Sequence, residues 1–227
     1  MFVRLLMLQR RQVMAVLMFV TAILVSGSVQ AQSVLILGDS ISAAYGMEKS
    51  QGWVHMFEQK LKPYCSNARV INASVSGETT AGGKSRLPEL LGTHKPDIVV
   101  IELGGNDGLR GLSPIAMRNN LEAMIALSRD SGATPVLLGM RIPPNYGPQY
   151  TRLFEQQFRQ VASQQGVAFL PFFLEGILDN GGFQEDGIHP TVEAQSLLLR
   201  NAESVLGPVL PDCYAGNEGV DQGDEHV

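Results

Sequence analysis

From Val34 onward, short apolar runs alternate with longer stretches of helical period. Val34 to Leu37, Arg69 to Asn72, Ile98 to Leu103, Pro135 to Met140 and Val167 to Leu170 have strand length and composition. Between them Trp53, Val54, Phe57 and Leu61 recur at helical spacing, as do Leu121, Met124, Ile125 and Leu127, and later Phe154, Phe158 and Val161. Such stripes predict core-facing sides of helices rather than ligand contacts. Ile98-Val99-Val100-Ile101 is apolar on both alternating faces, as a parallel strand covered by helices on each side must be. Gly132-Ala133-Thr134-Pro135 and Gly166-Val167 read as helix stops followed at once by strand starts. The pattern predicts an α/β fold, a three-layer α/β/α sandwich on a five-stranded parallel sheet.

Composition narrows the setting. The 227 residues, 44% hydrophobic and 17% charged, suffice for one core, and no linker or repeat divides them. A net charge of -5, with no basic cluster interleaved with aromatics, argues against nucleic-acid binding. Arg4, Arg10 and Arg11 precede an apolar run from Val13 to Val25 and small residues ending at Ala31. That order predicts a signal peptide over 1–31, because the run is shorter than the roughly 20 residues that span a bilayer. The expectation is a periplasmic or secreted protein with no stable membrane anchor after cleavage, its domain covering 32–213. Residues 214–227 are acidic and almost free of apolar side chains, so they are expected to form a disordered tail. Cys65 and Cys213 each close a helical segment, Gly52 to Lys62 and Thr191 to Leu206. An oxidising compartment permits a bridge if those helices pack side by side, and the spacing leaves both outcomes open.

Candidate chemistry gathers where such sheets bind ligands, beyond the carboxyl ends of the strands. The first strand runs into Gly38-Asp39-Ser40, the second into Ser74-Val75-Ser76-Gly77, and the third into Gly104-Gly105-Asn106-Asp107. Asp186-Gly187-Ile188-His189-Pro190 follows the fifth. Each block has a plainer explanation: Ser40 as a helix cap, Gly-Gly-Asn-Asp and Asp-Gly as turns, His189 as an isolated surface residue. Their convergence favours catalysis. Ser40 would be a nucleophile at the head of a helix, and Asp186 would orient His189, three residues on, as its base. The Gly77 N–H and the Asn106 amide are neutral donors, suited to the negative oxygen that develops in acyl transfer.

These four blocks, in this order, resemble the SGNH or GDSL-type hydrolases, and the likeness runs from about Val34 to the final helix. Ile41 stands where many members carry Leu, a packing position. Within that family the segments Asn72 to Gly77, Glu102 to Gly111 and Pro143 to Gly147 are similar to a branch of bacterial periplasmic thioesterases and lysophospholipases. The resemblance implies a flavodoxin-like sandwich and hydrolysis of acyl thioesters, simple esters and lysophospholipids. It implies Ser40, Asp186 and His189 as the catalytic residues, with Ser40, Gly77 and Asn106 as the oxyanion hole. By the same likeness Gly108 to Ser113 would be a loop that moves on substrate binding, Gly108 and Leu109 would contact substrate, and Ile142 and Pro143 would line an acyl groove. A monomer taking a small-molecule acyl substrate, with no cofactor and no metal, is expected.

Two other classes fit less well. Gly77 to Ser85 approaches a phosphate-binding loop but has one residue too many before its Gly83-Lys84 pair. A noncatalytic lipid carrier would have no need of a complete triad. His55, His94, His189 and His226 show no metal-ligand spacing.

Overall fold

The computed structural model describes residues 32–210 and Cys213. The signal peptide expected over 1–31 and the tail over 214–227 lie outside the described residues. Five strands, β1 (Ser33–Gly38), β2 (Arg69–Asn72), β3 (Ile98–Glu102), β4 (Thr134–Leu138) and β5 (Ala168–Leu170), form one parallel sheet in the order β2-β1-β3-β4-β5. The main helices are α1 (Trp53–Leu61), α2 (Thr80–His94), α3 (Gly105–Leu109), α4 (Pro114–Asp130), α5 (Pro148–Gln165) and α6 (Gln195–Leu206).

A right-handed crossover puts its helix on the face dictated by the direction of travel across the sheet. The chain leaves β1 toward β2 and then reverses through β3, β4 and β5. Accordingly α1 packs with α6, whereas α2 packs with α4 and α4 with α5. The reversal lies between β1 and β3, the topological switch point at which open α/β sheets bind ligands. Every residue of β1 and β3 is buried, which explains why these strands read as unbroken apolar runs. Trp53, Phe57 and Phe173 fill one side of the core and Phe154 and Phe158 the other, both clusters held by T-shaped ring contacts.

Strand ends differ from the sequence expectation by a residue or two, and β2 coincides with it. Two local expectations need correction. No helix opens directly after Ser40: the chain makes hydrogen-bonded turns to Gly46, and left-handed φ angles at Ala44 (60°) and Gly46 (78°) prevent a helix from propagating. The last helix begins at Gln195 rather than Thr191, so His189 sits in an irregular segment ahead of it. The open question of the cysteines is settled by a Cys65–Cys213 disulfide, which joins the turn after α1 to the end of the domain. Cys213 Sγ also lies 3.4 Å from Gln32 Oε1, so the bridge sits at the amino-terminal edge of the sheet.

Candidate active site

Strand register brings the functional blocks together. Gly38 pairs with Glu102, so β1 and β3 end level and their polar loops emerge side by side. Ile36 pairs with Asn72, which brings the β2 loop in on the other flank. Ser40, 8% exposed, receives His189 from the opposite side of the sheet edge, with Nε2 2.9 Å from Oγ. The other ring nitrogen, Nδ1, lies 2.6 Å from Asp186 Oδ2. Asp186 Oδ1 accepts the backbone N–H groups of His189 and Ile188, both at 2.9 Å. The His189 amide, the His189 ring and the Ile188 amide together hold the Asp186 carboxyl down to about 2. The structure therefore joins the three residues read from sequence into one relay, with an ionised carboxylate at one end and a hydroxyl at the other.

The relay has supports that sequence alone did not reveal. Tyr45 stacks on the His189 ring with centroids 4.3 Å apart. The Gln184 side-chain amide donates to the carbonyls of Tyr45 and Pro190, each at 3.0 Å, and its backbone N–H donates to His189 O at 2.8 Å. Nothing in the residue pattern marks either one, because Tyr45 reaches His189, and Gln184 reaches Tyr45, across more than a hundred residues of chain.

Beneath Ser40 lie two buried carboxyls. Asp39 Oδ1 accepts the Ile41 N–H at 3.0 Å, a local turn bond, and Oδ2 accepts one Asn106 amide hydrogen at 3.0 Å. Burial raises the Asp39 carboxyl to about 6, against the opposing pull of those two hydrogen bonds. Glu102 is fully buried, and Oε2 accepts from Ser42 Oγ at 2.7 Å and from the Asp39 N–H at 3.3 Å. Its Oε1 has no hydrogen-bond partner among the described residues. Burial, reinforced by the nearby Asp39 charge, pushes the Glu102 carboxyl well above its ordinary value. The Trp53 indole N–H donates to the same Ser42 hydroxyl at 3.2 Å, tying the nucleophile turn to the core. Only glycine fits above this layer: a Cβ on Gly38 would lie 2.7 Å from Glu102 Oε2 and 2.8 Å from Ser74 Oγ.

The donor candidates come from the loops after β1, β2 and β3. The Ser40 and Gly77 N–H groups have no hydrogen-bond partner among the described residues. Asn106 uses one amide hydrogen on Asp39 and keeps the second. Gly77 has φ 78°, a left-handed conformation open to glycine. Its loop is tethered to its surroundings at several points. Val75 N–H donates to Gly38 O at 3.0 Å, the Arg110 guanidinium donates to Gly77 O at 2.9 Å, and Asp107 accepts both the Thr80 N–H at 2.8 Å and the Thr80 hydroxyl at 2.6 Å.

Ser40, Asn106 and His189 line a cleft of about 480 Å³, whose remaining wall is largely apolar and includes Leu109, Met140, Ile142, Pro143 and Phe183. Gly77 and Gly108 are not among the lining residues. Gly108, expected to lie in a loop, is instead a buried residue of α3, where a Cβ would come within 2.5 Å of Ile142 Cγ2 and 2.7 Å of Phe154 Cε2. Its missing side chain serves close packing behind the cleft wall. The segment that follows is held by two tyrosines, Tyr146 Oη donating to Leu109 O at 2.8 Å and Tyr150 Oη to Leu112 O at 2.7 Å.

A serine hydroxyl, an imidazole and a carboxylate in contact, with unpaired neutral donors nearby and an apolar cleft beside them, have the arrangement that acyl transfer requires. Comparison with known proteins agrees. The GDSL-like Lipase/Acylhydrolase family matches residues 36–197. Esterase TesA of Pseudomonas aeruginosa is 49% identical over 189 residues, covering 83% of this chain and 94% of that protein. Thioesterase 1/protease 1/lysophospholipase L1 of Escherichia coli (strain K12) is 40% identical over 181 residues, covering 79% of this chain and 86% of that protein. The crystal structure of TesA superposes with a TM-score of 0.76 at 50% identity, over 79% of this chain and all of that one. With this fold and this site, the chain belongs to the GDSL-like, or SGNH, lipase and acylhydrolase family and is a serine hydrolase of ester bonds.

Proposed function

We propose that the protein hydrolyses acyl thioesters, carboxylic esters and lysophospholipids through an acyl-Ser40 intermediate. His189 Nε2 takes the Ser40 proton as Oγ attacks the acyl carbonyl, and Asp186 stabilises the imidazolium. The tetrahedral oxyanion is held by the Ser40 and Gly77 N–H groups and by the second Asn106 amide hydrogen. Collapse breaks the bond to the thiol or alcohol, which leaves with the proton from His189. His189 then deprotonates water, which attacks the acyl-serine, and the acid departs as Ser40 recovers its proton.

The observation that carries this reading is the continuous relay from Asp186 through His189 to Ser40, at 2.6 and 2.9 Å, opening on an apolar cleft. Leu109, Ile142 and Pro143 offer an acyl chain a hydrocarbon wall. The name of the Escherichia coli relative, thioesterase 1/protease 1/lysophospholipase L1, supports thioesters and lysophospholipids beside simple esters. Intact peptides are expected to be inert, because an amine is a poorer leaving group than a thiolate or alkoxide.

Export belongs to the same reading. The basic and apolar order of residues 1–31 supports a cleaved signal, and a disulfide between Cys65 and Cys213 suits an oxidising compartment. Among the described residues no helix is long and apolar enough to cross a membrane. The working unit is a monomeric domain over 32–213, followed by an acidic tail.

The test is a panel of acyl thioesters, nitrophenyl esters and lysophospholipids of graded chain length, run with wild type and Ser40→Ala. Turnover of all three classes that disappears in the variant is expected; wild-type turnover in Ser40→Ala would refute the proposal.

A further inference from the structure

Two of the proposed oxyanion donors, the Gly77 N–H and the Asn106 amide, come from loops that follow different strands, and neither loop alone fixes the distance between them. The short helix α3 does so. Asn106 and Asp107 lie on it and Arg110 caps its carboxyl end, with the Arg110 N–H donating to Asn106 O at 3.2 Å, so Asn106 and Arg110 stand on the same side one turn apart. Arg110 reaches across to Gly77 O at 2.9 Å. Asp107, 4% exposed, takes two hydrogen bonds from Thr80, the first residue of α2, and so fixes the far end of the Gly77 loop. The Thr80 hydroxyl is in turn held by Asn120 Nδ2 at 3.1 Å, and Asn120 Oδ1 by Lys84 Nζ at 2.6 Å. The helix itself is held by the packing of Gly108 on Ile142 and Phe154 and by the Tyr146 and Tyr150 hydroxyls.

We infer that Asp107 and Arg110 are positioning residues that clamp the Gly77 peptide at a fixed place relative to the Asn106 amide, so that the two donors meet one oxyanion. The inference rests on the proposed roles of Gly77 and Asn106. Neither Asp107 nor Arg110 touches the reacting atoms. They act through the peptide and the amide whose separation they set, and a clamp of this kind matters in the transition state far more than in substrate binding.

The test uses the full chain and a small neutral ester, p-nitrophenyl acetate, on which a cation at the mouth has no charge to meet. For Arg110→Met, an exposed side chain whose loss leaves the core intact, kcat is expected to fall by roughly 10-fold with KM within twofold of wild type. Arg110→Lys should restore part of that loss, since an ammonium can still donate to Gly77 O. Asp107→Ala should lower kcat further, and Asp107→Asn, which keeps one acceptor for Thr80, should recover part of it. If Asp107→Ala fails to fold, the Arg110 series decides alone. The double variant Asn106→Ala/Arg110→Met should lose less than the product of the two single losses, because the clamp has little to position once Asn106 is gone.

If Arg110→Met kept kcat within threefold, raised KM at constant kcat, or combined multiplicatively with Asn106→Ala, the clamp would be overturned. The failure of the underlying reading looks different: Asn106→Ala itself would then retain wild-type kcat.

Discussion

Replacing Asp39 by Asn should separate stability from activity in this protein. Asp39 is 2% exposed and uses both carboxylate oxygens as acceptors, one for the Ile41 N–H and one for the Asn106 amide. An Asn side chain has a single acceptor. The Ile41 N–H belongs to the backbone and cannot turn away, so the Asn oxygen stays there and its NH2 group faces the NH2 group of Asn106. Asn106 must rotate, and on its proposed role the cost is that of one misaligned oxyanion donor, about 3 kcal/mol, or roughly 100- to 1,000-fold in kcat.

Stability should move the other way. The Asp39 carboxyl is raised from 3.8 to about 6, so between those values the folded state binds more protons than the unfolded chain and stability falls as pH rises. That rise amounts to roughly 3 kcal/mol of destabilisation above pH 6, a penalty that a neutral Asn escapes. Loss of the hydrogen bond to Asn106 returns about 1 kcal/mol of that, leaving the variant roughly 1–2 kcal/mol more stable at pH 8. Below pH 3.8 Asp39 is protonated in both states and the advantage disappears. Urea unfolding at pH 8 and pH 4, beside steady-state hydrolysis of p-nitrophenyl butyrate, reads both effects. A variant with wild-type kcat would refute the orienting role of the carboxylate, and one destabilised at pH 8 would refute the burial argument.

Other perturbations have equally definite outcomes. Asp186→Asn should cut kcat by roughly 10,000-fold at unchanged fold, because the amide favours the wrong His189 tautomer; a loss under tenfold in steady-state assays would contradict the relay. Asp186 is depressed to about 2, so its contribution to stability is complete above its unfolded value near 3.8 and is lost as pH falls toward 2. Thermal melts of wild type and Asp186→Asn should therefore converge at the acid end. Glu102→Gln should keep kcat within about threefold, because the amide oxygen can still accept from Ser42 Oγ and the Asp39 N–H and the side chain bonds none of the triad side chains, whereas Glu102→Ala should unfold at lower urea by about 1–3 kcal/mol. The Cys65–Cys213 bridge closes a separation of 148 residues, so chain entropy gives it up to about 5 kcal/mol. Cys213→Ser should lower the melting temperature without changing kcat, because the bridge lies at the sheet edge opposite Ser40.

The parts of this account that sequence foretold are those written in local period or chemistry. β1 and β3 are buried on both faces and so appear as unbroken apolar runs, and Trp53, Phe57, Phe154 and Phe158 show their helical spacing directly. Ser40, Asp186 and His189 were legible because each sits in a short block of distinctive residues at a strand end. The helix expected after Ser40 is absent because Ala44 adopts φ 60°, which its residue type does not announce. Gly108 reads as part of a loop in sequence because a glycine that packs against Phe154 from a short helix looks the same there as one in a turn. Tyr45, Gln184 and the Asp39–Glu102 layer act through space on residues distant in the chain. The cysteines were undecidable for a related reason: whether α1 and α6 lie side by side is a property of topology.

The most direct test of the central claim is covalent capture of Ser40. Diethyl p-nitrophenyl phosphate should transfer its diethylphosphoryl group to Ser40 Oγ, releasing one equivalent of nitrophenolate as the hydroxyl proton passes to His189, with esterase activity lost in parallel. Peptide mass spectrometry should then find the added group on Ser40 alone, and Ser40→Ala should neither react nor turn over ester. Stoichiometric labelling at another residue, or full activity in Ser40→Ala, would contradict the account.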